Sequence, residues 1–548
     1  MASGERPRPQ AEGSCGQEDD GFVFRPSDRR VLEWHKRQGL PRVLLLWGAA
    51  GGGKKHLARH WAGEQGLCLA CGPDLETTLR APGFCQAFGQ MAGADRQAIA
   101  ERLIDRAVQG PLALMDCETL LANDLPFGRA LSQAWLDRRK DRPCLVLGGE
   151  SVPVPAGLPR EFLRIHHIQA VTFQEFRQCV PGMAPAEQLF AYAVFGGQPG
   201  FFLNLKPGQS VADSVYGVLL HPERMLPARG LWWERRSDPR IALKLLASLR
   251  QSAVASADLY LALHASGLAC EACPEAPEKA KVDAAVSAAR FTLDELARAD
   301  VILQVANLCR KEAGPVKVEC YDAVPGALRF WLAMHEALGR EPGSPLELSP
   351  DEAAFLCQSL PELAQSFGLP AFRDACFQWL WQANACGLLP RSFSKFGLWI
   401  RAVPGTPVEQ CYAPGDRLGF VMESADGSHV LACDCSLNPK GESRAFVERL
   451  VSKLSRDVPG YRASDIRYCA FSLHGFDEDA RRAAEALAGK LHTCILLADA
   501  GIVAAGPAAA ASGLQQGQAA SCADLALRAL FKPEEDVLFR AAASPLLQ

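Results

Sequence analysis

Three things are missing from this 548-residue chain, and each absence narrows what the sequence argues for. The first is an uninterrupted run of the roughly 20 apolar residues that a membrane-spanning helix requires. The nearest approach, Thr493 to Leu514, is broken by Asp499 and Pro507, and Ile495-Leu-Leu497 reads as a core strand ahead of an Ala/Gly-rich segment, so no membrane is expected. The second is an apolar centre in Met1–Asp20, which is polar, rich in Pro, Gly and charge, and expected to be a disordered leader rather than a secretory signal. The third is a strong charge of either sign. The formal net charge is −4, which gives no overall field for nucleic acid or for an anionic surface. What the chain has in abundance is cysteine, 20 residues. Without a secretory signal these are expected to be reduced, partly buried thiols in a cytoplasmic protein.

The length allows three or four domains. Residues 1–21 are read as the leader and 22–170 as an α/β core of alternating apolar runs and helical stretches, the pattern of a parallel sheet flanked by helices. Its expected strands are Val43–Trp47, Leu67–Ala70, Leu112–Met115, Cys144–Leu147 and Ile165–Ala170. A largely helical region runs from about Lys206 to Arg340, and residues 341–350 form a Pro/Gly/Ser linker. Beyond it, helical Asp351–Cys386 leads into short strands near Leu398, Gly419, Val430 and Tyr468, and 506–548 is an Ala/Gly-rich tail with one helix expected at Cys522–Phe531.

The most informative stretch is Arg42-Val-Leu-Leu-Leu-Trp47 followed by Gly48-Ala-Ala-Gly51-Gly52-Gly53-Lys54-Lys55. It reads as a buried strand turning through a glycine loop into a helix, and it matches the phosphate-binding pattern G-x-x-x-x-G-K-[ST] at every constrained position but the last. Gly48, Gly51, Gly52 and Gly53 would let successive N–H groups face a phosphate, the helix start would add its positive end, and Lys54 would reach the outer phosphates. The hydroxyl that should hold Mg2+ is replaced by Lys55, so magnesium is expected to bind weakly or not at all, and Lys55 is counted with Lys54 among the nucleotide-binding residues because two adjacent lysines allow binding without metal.

A second element, Leu112-Ala-Leu-Met115-Asp116, is an apolar strand ending in an acid, 62 residues after Lys54. Asp116 would belong to the magnesium shell. The glutamate that should follow it is Cys117, with Glu118 one place later, and a one-residue slip on an extended chain reverses the side chain's face. Glu118 would reach the site only if the strand has already ended. An acid after a strand also serves as a helix cap. The third strand end, Leu145-Val-Leu147-Gly148-Gly149-Glu150-Ser151, places an acid where a phosphate-sensing group belongs, which is electrostatically unfavourable. Arg138, Arg139, Arg142, Arg160 and Arg164 could each stabilise transition-state charge, and no spacing singles one out. Two Cys-x-x-Cys pairs, Cys68/Cys71 and Cys270/Cys273, would bind zinc only if they met each other or a histidine such as His264. Cys433 and Cys435 share one strand face and read as core.

A resemblance emerges from several motifs taken in order. Ala191-Tyr-Ala-Val-Phe-Gly196-Gly197-Gln198-Pro199-Gly-Phe-Phe-Leu203 closely resembles the "yavfGGvPyyL" signature of archaeal-type ATPases in the STAND class. Phe24-Arg-Pro-Ser-Asp28-Arg29 resembles their "FvGRekEL" opening, and Val171-Thr-Phe-Gln-Glu-Phe176 their segment before the helical lid. Val316-Lys-Val-Glu-Cys-Tyr321-Asp322 with Leu328-Arg-Phe330-Trp331 resembles the stretch that follows a winged helix. Past the linker, Lys395–Arg401, Asp416–Val421 with His429–Ser436, and Tyr468–Phe476 resemble "GkfEgwvR", "eiDivA…ilfgECKw" and "yylfSksGF" of a restriction-endonuclease-like domain.

The resemblance spans roughly residues 22 to 500. It implies an α/β P-loop ATPase core, a helical lid at 171–235, a winged-helix region at 236–340 and a nuclease-like domain at 351–505. A nuclease of this kind needs two acids for metal and a lysine to polarise water. Asp416 and Asp434 stand at the acids and Ser436 at the lysine, with Lys440 too far along to replace it, so the domain is read as degenerate. The leading expectation is a nucleotide-dependent regulatory switch that binds ATP or ADP, hydrolyses it slowly or not at all, and works with DNA, with a homo-oligomer needed if an arginine is supplied in trans. A non-catalytic DNA- or protein-binding scaffold with a relic loop is the first alternative. An ATP-regulated nuclease is the last.

Overall fold

The computed structural model describes residues 26–37, 42–49, 51–91, 93–150, 152–202, 204–205, 208–219, 238–249, 254–268, 275, 277–298, 301–306, 308, 310–311, 314–315, 319–323, 326–340, 348–387, 389, 392–399, 418–454, 461–462, 465–493 and 495–505. The chain starts with helix α1 (Pro26–Arg37) and then builds a five-stranded sheet. Its elements are β1 (Val43–Trp47), α2 (Lys54–Ala62), β2 (Leu67–Ala70), α3 (Leu75–Arg80), α4 (Pro82–Phe88), α5 (Arg96–Gln109), β3 (Leu112–Met115), α6 (Cys117–Asn123), α7 (Leu125–Arg138), β4 (Leu145–Gly149) and β5 (Leu163–His167). The strand order is β2-β3-β4-β1-β5 and every neighbouring pair is parallel.

A parallel sheet is covered on both faces, which is why its central strands are apolar throughout rather than alternating. In β1, Val43 and Leu45 pack with Ile99, Leu103 and Leu131 on one side, while Leu44 and Leu46 pack with Leu32, Leu57 and Trp61 on the other. The first three expected strands have the observed bounds. The fifth begins two residues earlier than its apolar run implies, at Leu163, because pairing with Val43 sets its start.

Helices α8 (Phe173–Cys179), α9 (Pro185–Phe195), α10 (Pro199–Phe202) and α11 (Val211–Leu219) follow. Thr172 and Glu175 close a reciprocal capping box at the start of α8. Next come α12 (Pro239–Ser248), β6 (Val254–Ala255), α13 (Ser256–Ser266), α14 (Glu278–Arg298), β7 (Ile302–Val305), β8 (Arg310–Lys311), β9 (Gly314–Pro315), β10 (Cys320–Ala323) and α15 (Ala327–Ala337). Strands β6, β10 and β7 form a small antiparallel sheet in that order. The rest of the chain comprises α16 (Pro350–Gln358), α17 (Leu360–Ala385), β11 (Phe393–Gly397), β12 (Phe420–Ser424), β13 (Val430–Ser436), α18 (Arg444–Leu454), β14 (Ile466–Ser472), α19 (Glu478–Leu491), β15 (Ile495–Asp499) and α20 (Ala500–Ala505). This second five-stranded sheet runs β11-β12-β13-β14-β15, antiparallel across its first three strands and parallel across the last three.

One continuous apolar core joins α8 to α15, α17 and one face of this second sheet, from Val171 to Ala504. Helix α17 is its spine. Gln378 accepts from Phe173 N (2.7 Å) and donates to Tyr192 (3.2 Å), and on the other side Trp379 meets Phe471 of β14 edge to face. The opposite face of the second sheet packs on α18 and α19 through Val447, Leu450, Ala480 and Ala484. Cys433 and Cys435 are buried on the α17 side. No helix among the described residues is long and apolar enough to cross a membrane, and Ile495-Leu-Leu497 lies within β15. The expected helix at 522–531 and the linker at 341–347 lie outside the described residues.

Candidate functional site

The glycine loop leaves the C-terminal end of β1 and enters α2, whose first residue is Lys54. Gly53 caps that helix with φ 84°, a left-handed conformation that costs glycine nothing. Gly48 is constrained by space as well, since a Cβ there would lie 2.2 Å from the carbonyl oxygen of Ile168, the residue after β5. Lys54 is buried and its ammonium donates to the carbonyls of Gly48 and Ala49, both at 2.7 Å. Burial lowers its pKa, opposed by the charges of Glu150, Glu118 and Asp116. The loop, the ends of β3 and β4, and four charged side chains therefore converge at one edge of the sheet.

Asp116 follows β3 directly and takes φ 57°, ψ 30°, so the strand ends at Met115 and a new helix begins at Cys117. This turn decides the one-residue slip. Cys117 turns inward, fully buried, with its thiol directed at the Gly148 carbonyl (3.5 Å). Glu118 is brought into the site, where one carboxylate oxygen accepts from Glu150 N (3.2 Å) and the other, Oε2, is buried without a hydrogen-bond partner. Burial raises the pKa of Glu118 and raises that of Glu150 to about 7, with Lys54 opposing both shifts. Ser151 lies outside the described residues.

Lys55 places its ammonium 2.5 Å from Asp116 Oδ2. That is the carboxylate expected in a magnesium shell. A magnesium ion demands a near-octahedral cage of oxygens at about 2.0–2.1 Å. Here the hydroxyl ligand is absent and the remaining carboxylate is held by a cation of the chain itself, so the donor set does not fit the metal.

The candidate arginines do not reach this edge. Arg138 and Arg139 end α7 and Arg142 precedes β4, while Arg160 and Arg164 flank the start of β5, all at the end of the sheet remote from the loop. Arg138 pairs with Asp105 (2.9 Å), and Arg164 stacks over Trp34 at 3.6 Å. The zinc hypothesis also finds no support among the described residues, where no group of three His, Cys, Asp or Glu could hold a metal. His264 bonds Glu278 instead (2.8 Å), and Cys270 and Cys273 lie outside the described residues.

Helix α10 touches the loop itself. Gly200 N donates to the Gly51 carbonyl at 2.8 Å, a Cβ on Gly200 would lie 2.9 Å from Gly51 Cα, and the Phe201 ring lies against Gly51. This contact explains the glycine and aromatic of the Gln198-Pro199-Gly200-Phe201 motif. A second motif is also explained by geometry that spacing alone did not reveal. Asp322 of β10 binds Arg329 of α15 and Arg373 of α17 at once, and Arg329 is fully buried with a further bond to the Leu249 carbonyl (2.9 Å).

In the second sheet Asp434 lies on β13 with its carboxylate 2.7 Å from the ammonium of Lys453 on α18, both largely buried. Burial raises the Asp434 pKa and Lys453 opposes that rise. Ser436 donates to Glu442. Glu423 of β12, which the motifs did not single out, is buried and held by Lys395 (2.5 Å) and Tyr461 (3.0 Å). Asp416 lies outside the described residues.

The first of the two sheets thus has the architecture of a P-loop core: parallel strands, a glycine loop after the first, a lysine at the helix start and an acid ending another strand. Among the solved structures similar to the chain are three at 12–13% identity. The Walker-type ATPase of Pyrococcus abyssi aligns over 57% of this chain and 96% of its own, with a TM-score of 0.35. A STAND protein with a tetratricopeptide repeat sensor from Pyrococcus horikoshii aligns over 66% and 54%, with a TM-score of 0.26. Cdc6p of Pyrobaculum aerophilum aligns over 63% and 97%, with a TM-score of 0.24. At these scores the likeness carries no residue-level correspondence. No protein-family model matches the chain, and no curated protein matches it.

Proposed function

We propose that this chain is an ATP- or ADP-binding regulatory protein of the STAND kind, in which the occupied glycine loop sets the position of the lid. One observation carries the proposal: the phosphate-binding loop is hydrogen-bonded through Gly51 to Gly200 of the lid. A phosphate that draws the loop N–H groups toward itself must also move that contact. The lid shares its apolar core with α12 to α15, α17 and the second sheet, so a shift at Gly200 has a packed route to the rest of the molecule.

Hydrolysis is slow or lost in this reading. Position 55 carries an ammonium in place of a hydroxyl, and position 117 carries a buried thiol in place of the carboxylate that would polarise water. Glu118 does reach the site, and its unpaired oxygen can orient a water for residual turnover. Elements α12 to β10 serve as a winged helix and the second sheet as a degenerate nuclease-like module that binds DNA without cutting it. In support, Asp434 is neutralised by Lys453 and a serine stands at the lysine position. A cytoplasmic location and homo-oligomerisation belong to the same reading.

A scaffold with a relic loop draws on a single observation, that Lys54 already satisfies the carbonyls of its own loop. Titration with labelled ATP and ADP separates the two. Saturable binding that disappears in Lys54→Ala supports the switch, and no binding in the parent chain moves the protein to the scaffold class.

A further inference from the structure

We infer that Lys55 takes the place of the divalent cation, so that this site receives the nucleotide polyphosphate as its metal-free anion. The inference rests on the nucleotide reading above and adds the form in which the nucleotide binds. Lys55 is the second residue of α2, immediately after the lysine that faces the loop, and its ammonium sits 2.5 Å from Asp116 Oδ2. An ammonium has three donors and no acceptor, so it can hold Asp116 with one and leave the others for phosphate oxygens. The pair is not sealed off. The side chains of Lys55 and Asp116 are 48% and 37% exposed, so an incoming phosphate can reach the ammonium without opening the core.

A divalent ion has no comparable place. It would have to displace the ammonium from the carboxylate, or crowd a second cation against it, with no hydroxyl at position 55 to complete its shell. The surrounding acids, Glu118 and Glu150, do not supply an alternative cage. One oxygen of Glu118 is engaged by the Glu150 N–H, and no three acids, cysteines or histidines of the described residues come together as a metal site. Lys54 and Lys55 place two positive charges at the loop, where one lysine and a divalent ion would together place three, so Lys55 replaces the metal's position and only part of its charge.

The test uses the full chain and ATP carrying a ribose fluorophore, titrated in excess EDTA and again in excess Mg2+. The parent chain should bind at least as tightly in EDTA as in magnesium. Lys55→Thr, which restores the hydroxyl and removes the charge, should bind about tenfold or more weakly than the parent in EDTA, the loss expected for one charged hydrogen bond, and should regain affinity on adding magnesium. Lys55→Arg should keep the metal-free behaviour. Mn2+ titrated with ADP and followed by electron paramagnetic resonance should show bound metal in Lys55→Thr and none in the parent. Parent binding that needs magnesium, or a bound Mn2+ in the parent, overturns the inference while leaving the nucleotide reading in place. Absence of binding in both buffers removes the nucleotide reading and the inference with it, and Lys54→Ala marks the background for that outcome.

Discussion

The two five-stranded sheets each hold an aspartate at or near a strand end against a lysine from a helix, and the two pairs have opposite consequences. Lys55–Asp116 stands at the edge of the first sheet with both partners over a third exposed. Lys453–Asp434 lies under α18 with side chains 8% and 14% exposed. An exposed pair contributes about 0–1 kcal/mol, too little to explain its presence by stability. A buried pair is different, because removing one partner strands a charge away from water at a cost of about 3–5 kcal/mol. The same two residue types therefore make a solvent-accessible pair in one sheet and a fixed part of the core in the other. What separates them is solvent, not chemistry.

The comparison can be broken most sharply at the buried pair. Lys453→Met should lower stability by about 3–5 kcal/mol in urea denaturation, and Lys453→Met with Asp434→Leu should recover much of it. Equal costs for Lys453→Met and Lys55→Met would remove the distinction.

A second difference is pH dependence at the loop. Burial raises the Glu150 pKa from 4.5 to about 7, so the folded state holds a proton that the unfolded state has lost across that interval. Its contribution to stability is complete below 4.5 and is lost as pH rises through 7, by at most about 3 kcal/mol. Glu150→Gln should therefore be more stable than the parent at pH 8, with the gap closing toward pH 5. A constant gap across the range would show that Glu150 ionises normally.

Next in size is the contact that joins the loop to α10. A Cβ at Gly200 meets the Gly51 backbone, so Gly200→Ala should cost about 1–3 kcal/mol and weaken nucleotide binding, both readable from thermal shifts with and without ATP. An unchanged ATP-induced shift would uncouple α10 from the loop. The smallest effect is expected for Lys55→Met without nucleotide, below about 1 kcal/mol.

Much of this was legible in the chain. Three strands of the first sheet have the bounds that their apolar runs indicate, because a strand covered on both faces must be apolar throughout, and Gly48 to Lys54 marks the loop by composition. The strands near Val430 and Tyr468 and the last at Ile495 were legible for the same reason. Other features were not. The fate of Glu118 depended on whether the strand ended at Met115, and that turns on one left-handed residue, Asp116. The Arg329–Asp322–Arg373 cluster joins three elements, two of them 51 residues apart, and no local pattern announces it. The arginines near residue 140 looked available because sequence distance hides which end of a parallel strand a residue occupies.

The sequence by itself determined the parallel sheet, its glycine loop, the lysine at the helix start and the missing hydroxyl at position 55, since each follows from local composition and short-range geometry. Only the tertiary structure decided what the lysine at 55 does. Its partner Asp116 follows β3, which is not a neighbour in the sheet of the β1 strand that leads to Lys55, because β4 lies between them. It also decided that the corresponding pair at Asp434 is sealed in the core, because burial is set by packing between elements distant in the chain, not by residue type.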